Sequence, residues 1–193
     1  MRLFVALEIP PEVRGNLAAL IQELRALEPS RSSSAKKMRW VRPENLHVTL
    51  KFIGAAPPEM LDAIRAALSG VASPRIVEVH FRGLGFFPNE KRARVFWVGV
   101  EATPNLLELA ADVDLRLEKA GIPRESRPYS PHLTLARLEP PGVAGESHAI
   151  AQKNAAREFG GLRTGEFHLI ESKLKSTGAE YTTLQSFRFA AEA

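Results

Sequence analysis

Two short stretches carry residue types able to do chemistry. His47-Val48-Thr49-Leu50 and His132-Leu133-Thr134-Leu135 share the pattern His, apolar, Thr, Leu, with one copy in each half of the chain. Both read as β-strands, in which side chains alternate faces with a period of two. His47 and Thr49 therefore point one way, and Val48 and Leu50 the other. The same holds for His132 and Thr134 against Leu133 and Leu135. A single histidine at a strand start is most often structural or exposed, so it is the duplication that points to function. His80, His148 and His168 lack it and read as structural or surface residues.

The chemistry that suits two such pairs is phosphodiester cleavage. The unperturbed pKa of imidazole lies near neutrality, so one histidine can take a proton while another gives one. Attack at phosphorus needs both, a base on the attacking oxygen and an acid on the leaving oxygen. Threonine hydroxyls can donate to the non-bridging phosphate oxygens as charge builds on them. No Asp or Glu accompanies either histidine at ligand-like spacing, so neither a metal nor another cofactor is expected.

These strands must be positioned by the rest of the chain. "RLFVALEI" reads as a buried strand. Val13, Leu17, Leu20, Leu24 and Leu27 mark one face of a helix, and "EPSRSSSAKK" reads as a loop. A short strand over 38–41 precedes the first motif. A helix follows it, with Leu61, Ile64, Leu68 and Val71 inward, and then two strands in "IVEVHFRGLGFF" and "ARVFWVGV". Thr103 and Pro104 open a further helix, lined by Leu106, Ala110, Val113 and Leu117 and ended at Gly121. After the second motif come a loop, "EPPGVAGES", a short helix over about 150–157, and strands in "EFHLIESKL" and "YTTLQSFRF" with a turn at Gly178. Strict strand–helix alternation and a Gly-rich first turn, the marks of a doubly wound sheet, are absent. The expectation is an α+β fold: a single bilobal domain over residues 1–193, with two pseudo-symmetric antiparallel-rich sheets facing a central cleft and helices outside.

Composition narrows the class. With 193 residues the chain can bury a core without a disulfide or metal staple. It has no cysteine, which excludes a disulfide framework and a thiolate zinc site. No secretory signal pattern and no apolar run near the length of a membrane span is present, so a cytoplasmic protein without a membrane partner is expected, and we expect a monomer. The net charge of +4 leans toward anionic partners. Two basic clusters, Lys36, Lys37, Arg39 and Arg42, then Lys91, Arg92 and Arg94, fit either a solvated face or a phosphate backbone.

With "RLFVALEIP", "NLHVTLKFIG" and "RPYSPHLTLAR" in view, the chain resembles the two-histidine (2H) phosphoesterases, and among them the RNA 2′,3′-cyclic phosphodiesterases also called 2′-5′ RNA ligases. The middle hairpin and the C-terminal strands extend the resemblance over nearly the whole chain. It implies a metal-free hydrolysis of 2′,3′-cyclic phosphate ends of RNA, tRNA fragments among them, to 2′-phosphates, with ligation to a 5′-hydroxyl as a related reaction. It implies His132 as general base, His47 as general acid, and Thr49, Thr134 and Arg137 as phosphate-binding residues. By strict alternation Arg137 falls on the face opposite His132, which requires a bulge, a strand end or a long side chain that curls around the strand. Lys51, by the same count, shares the face of His47; it and Arg127 are further phosphate contacts to test, and Trp40 and Tyr129 are candidates to stack on a base. Two other readings fit the same groove: a cyclic phosphodiesterase for a small nucleotide or nucleotide-sugar, and an RNA-binding module without turnover.

Overall fold

A computed structural model of the chain describes residues 1–26, 37–71, 76–142, 146–176 and 178–189. The strands are β1 (Arg2–Glu8), β2 (Lys37–Trp40), β3 (His47–Ala55), β4 (Val77–Phe87), β5 (Ala93–Ala102), β6 (His132–Gly142), β7 (Glu158–Thr164), β8 (Glu166–Lys175) and β9 (Gly178–Arg188). The helices are α1 (Pro11–Ala26), α2 (Leu61–Ser69), α3 (Pro104–Lys119) and α4 (Glu146–Lys153). Among the described residues, no helix is long and apolar enough to cross a membrane.

The fold is α+β, with every strand pair antiparallel. The two expected sheets are halves of one. Their order is β7-β4-β5-β6-β3-β1-β8-β9, with β2 against β6 beside β3. One half holds β6, β5, β4 and β7, the other β3, β1, β8 and β9. They are joined where Val48 pairs with Leu133, the single residue pair between β3 and β6.

One face of this sheet is covered by helices and forms the core. Val48, Leu50, Leu133 and Leu135 lie in it with Val13, Leu17 and Leu20 of α1, Ile64 and Leu68 of α2, and Leu106, Val113 and Leu117 of α3. Within each helix these residues fall three, four or seven positions apart, as an amphipathic stripe requires. On β1, Leu3, Val5 and Leu7 join this core, while Phe4 and Ala6 join Ile170 and Tyr181 in a separate small cluster on the other, open face. The period-two alternation thus separates a helix-covered face from an open one.

Several boundaries differ from expectation. β6 runs on through Gly142, so the first half of "EPPGVAGES" continues the strand. The last helix lies earlier, over Glu146–Lys153. The Thr103 side chain does not cap α3; its hydroxyl donates to the Glu78 carbonyl, tying the helix start to β4. The stretch 27–36 lies outside the described residues, and with it Leu27 and Lys36.

Candidate active site

The two motifs meet at their second residues. Because Val48 and Leu133 are partners in an antiparallel pair, a local two-fold relation passes between them. It carries His47 onto His132 and Thr49 onto Thr134, all on the open face.

The two-fold extends to hydrogen bonds. Nδ1 of His47 lies 2.7 Å from the Asn45 carbonyl oxygen, and Nδ1 of His132 lies 2.8 Å from the Ser130 carbonyl oxygen. A carbonyl can only accept, so each Nδ1 bears the proton. Each neutral ring then presents an unprotonated Nε2, and both histidines are fixed in one tautomer by the backbone two residues upstream.

It extends to the backbone as well. Between Thr49 and Lys51, facing Ala6 and Val5, Leu50 is an extra residue. Between Thr134 and Ala136, facing Trp97 and Phe96, Leu135 is the extra one. Each motif strand therefore bulges directly after its threonine, and two consecutive residues fall on the core face: Leu50 with Lys51, and Leu135 with Ala136. A bulge of one residue reverses the facing of everything beyond it. Arg137 consequently returns to the open face with His132 and Thr134. There its positive charge disfavours protonation of both His47 and His132.

The same bulge overturns the reading of Lys51. The residue is only 2% exposed, and its ammonium pairs with Asp114 of α3 at 2.5 Å and donates to the Pro123 carbonyl at 2.7 Å. Burial works against ionisation of Asp114, but hydrogen bonds from Lys51, Arg124 and the Glu125 amide hold its carboxyl below the usual range. Lys51 is thus a tie between β3, α3 and the chain entering β6, on the core side and away from the open face. Phe52 takes the position equivalent to Arg137 and is exposed on the open face.

Aromatic rings wall both histidines. Phe4 lies 4.7 Å and Tyr181 5.4 Å from His47; Phe87 lies edge-on to His132 at 4.8 Å. Trp97 stands beside Thr134 and lies flat across Gly85, where a Cβ would collide with its ring. Burial dominates the acid–base behaviour of both imidazoles. It pushes His47 down to about 4, helped by the charges of Arg137 and His132, and lowers the less deeply buried His132 as well.

Other expected residues fall elsewhere. Trp40 packs against the core beside Phe96, so it is not a stacking surface of the groove. Tyr129 also packs on the core, and its hydroxyl donates to the Thr49 carbonyl at 2.9 Å; it ties the chain entering β6 to β3. Arg127 is exposed with no placed role. His168 is buried against the Ser186 hydroxyl two strands from β3, His148 meets Glu90, and His80 is exposed. Sequence reasoning missed Tyr181, which reaches His47 from β9 and carries no motif of its own.

A duplicated His-x-Thr strand pair on the open face of one antiparallel sheet defines a class of protein, the two-histidine phosphoesterases. The LigT-like phosphoesterase family model matches this chain twice, over residues 7–97 and 98–181, one match for each motif. The chain belongs to that family. It is 34% identical over 189 residues to an RNA 2′,3′-cyclic phosphodiesterase of Archaeoglobus fulgidus, covering 97% of this chain and 99% of that protein. It is also 34% identical to the protein of that name from Thermus thermophilus, covering 100% and 92%. A crystal structure of a Thermus thermophilus protein superposes with a TM-score of 0.79 at 30% identity over the full length of both chains. Escherichia coli LigT complexed with 3′-AMP shares the fold, with a TM-score of 0.73 at 23% identity over 97% of each chain.

Proposed function

We propose that this chain, acting as one bilobal catalytic domain, hydrolyses 2′,3′-cyclic phosphate ends of RNA to 2′-phosphates without a metal. The observation that carries the reading is the matched pair of Nδ1-to-carbonyl hydrogen bonds, which leaves one Nε2 on each side of a local two-fold. The names of the relatives supply the substrate class.

In this reaction Nε2 of His132 takes a proton from water as the water oxygen bonds to phosphorus. The bond from phosphorus to O3′ breaks, and O3′ takes the proton held on Nε2 of His47. The product carries a 2′-phosphate and a free 3′-hydroxyl. Thr49 and Thr134 donate to the non-bridging oxygens, and Arg137 balances the charge that grows on them. The deeper burial of His47 suits it to the acid's part. An imidazolium held at low pKa is a strong acid, and the substrate phosphate provides the negative charge beside which His47 can hold a proton. A 5′-hydroxyl in place of water would be joined through a 2′,5′-linkage with the same division of roles.

The test is incubation of the protein, with excess chelator, with a short RNA ending in a 2′,3′-cyclic phosphate, and separation of 2′- from 3′-phosphate products. A 2′-phosphate product made in chelator supports the reading. No product from folded protein removes the RNA-end reading and leaves small cyclic nucleotides, then binding without turnover, as the alternatives.

A further inference from the structure

Arg137 has a second arginine directly across from it. In the β2–β6 register Arg39 pairs with Arg137. Its neighbours Met38 and Trp40 pack on the core, so the Arg39 side chain stands on the open face beside the motifs. Like charges directly opposite each other in a sheet are destabilising. The chain relieves this on one side only. Glu139, two residues beyond Arg137 on the same face, accepts from Arg39 Nη1 at 3.0 and 3.2 Å. Among the described residues no carboxylate pairs with Arg137. The result is one guanidinium left open beside the histidines, and a second, one strand further out, held by an exchangeable carboxylate.

We propose that Arg39 is the binding site for the phosphodiester immediately upstream of the cyclic phosphate, and that Glu139 holds that site until RNA displaces it. The proposal rests on the phosphodiesterase reading and adds what makes an RNA end a better substrate than a mononucleotide. Cross-strand neighbours have Cα atoms about 5 Å apart, so two long side chains from these positions can hold anions one nucleotide apart. A nucleoside 2′,3′-cyclic monophosphate has one phosphate and engages Arg137 alone; a dinucleotide with the same end has a second for Arg39. The exchange costs little. The Arg39–Glu139 pair is more than half exposed on both sides, and such pairs contribute about 0–1 kcal/mol, whereas a phosphodiester offers the guanidinium two oxygens in its own plane.

The experiment compares kcat/KM for a dinucleotide and a mononucleotide, both ending in a 2′,3′-cyclic phosphate, and reads their ratio. In Arg39→Ala the ratio is expected to fall roughly tenfold, and the slope of log(kcat/KM) against log[salt] for the dinucleotide to flatten by about 0.7, one phosphate contact on a single strand. In Glu139→Gln the ratio is expected to rise. Both substitutions break the same ion pair, so a merely structural pair would move the ratio the same way in each. Equal directions, or an unchanged ratio in Arg39→Ala, overturn the proposal while leaving the phosphodiesterase reading intact. If the wild type turns over neither substrate, that reading fails on its own. The Arg39 site is then judged by titrating a dinucleotide 3′-phosphate against wild type and Arg39→Ala, with equal affinities counting against it.

Discussion

β3 and β6 begin alike and end differently. Each opens on a histidine whose Nδ1 donates to the carbonyl two residues back, and each bulges after its threonine. Past the bulge the likeness stops. β3 continues with Lys51, buried against Asp114, and Phe52, exposed on the open face; β6 continues with Ala136, buried, and Arg137, exposed. The four residues of the motif thus supply a symmetric pair of imidazoles, and the next two make the halves unequal. One half gains an internal tie and an aromatic surface. The other gains the guanidinium, and beyond it the second arginine of β2. A cyclic phosphate is itself unsymmetric, with one oxygen that leaves and one that stays, so a site that reads it must break its own two-fold.

The symmetric part is expected to carry the largest effects. His47→Ala and His132→Ala should each lower kcat by about 10²–10⁴-fold, the range for a positioned acid or base, with the fold retained. Steady-state kinetics beside a far-ultraviolet circular dichroism spectrum checks this. Full activity in either variant would end the idea of a shared acid–base pair.

Next in size is the internal tie. Lys51→Met should destabilise the protein by about 3 kcal/mol in urea unfolding, the low end for breaking a buried pair, because Asp114 keeps Arg124. Adding Asp114→Asn should return part of that loss. No cost would mean that the tie is not what holds β3 to α3.

The histidines themselves should differ in how stability depends on pH. Burial sets His47 at about 4 in the folded protein, below its unfolded value near 6.5. Unfolding then takes up a proton between those values, so stability should fall as pH drops through that window, by about 3 kcal/mol in all. His47→Asn should flatten this part of the curve more than His132→Asn does. Equal flattening would remove the inequality of burial from the comparison.

Much of this was legible in residue order, and the failures lie in how the strands pair. The motifs, their strands and their shared face follow from a period of two. The facing of Lys51 and Arg137 does not, because a single extra residue at Leu50 and at Leu135 reverses the count, and nothing in "VTLKF" or "LTLAR" announces it. Trp40 illustrates a second limit: an aromatic near a motif in sequence is one strand and one face away in space. Tyr181 illustrates the converse, a residue far along the chain that arrives beside His47 only because β9 closes the sheet edge. Register is a property of paired strands, and a single strand does not contain it.

Arg137→Ala should lower kcat/KM roughly tenfold to hundredfold, the worth of a hydrogen bond to a charged group, and Arg137→Lys should recover part of it as a point charge without the fork. A loss in kcat with KM nearly unchanged would place the guanidinium on charge that develops during the reaction. A loss confined to KM would make it a ground-state anchor and would weaken the contrast between the two halves.

The smallest expected effects fall again on symmetric residues. Thr49 and Thr134 occupy equivalent positions, each ahead of a bulge and each on the open face. If both hydroxyls donate to the same phosphate, Thr49→Val and Thr134→Val should each cost about 1 kcal/mol, roughly fivefold in kcat/KM. Their losses should match within a factor of two or so and multiply in the double variant. Valine keeps the shape and β-branching of threonine, so packing against Ala6 on one side and Trp97 on the other is preserved and the readout is the hydroxyl. A large loss at one threonine and none at the other would show that the inequality begins inside the motif, before the bulge, with the phosphate seated off the two-fold toward the costly side.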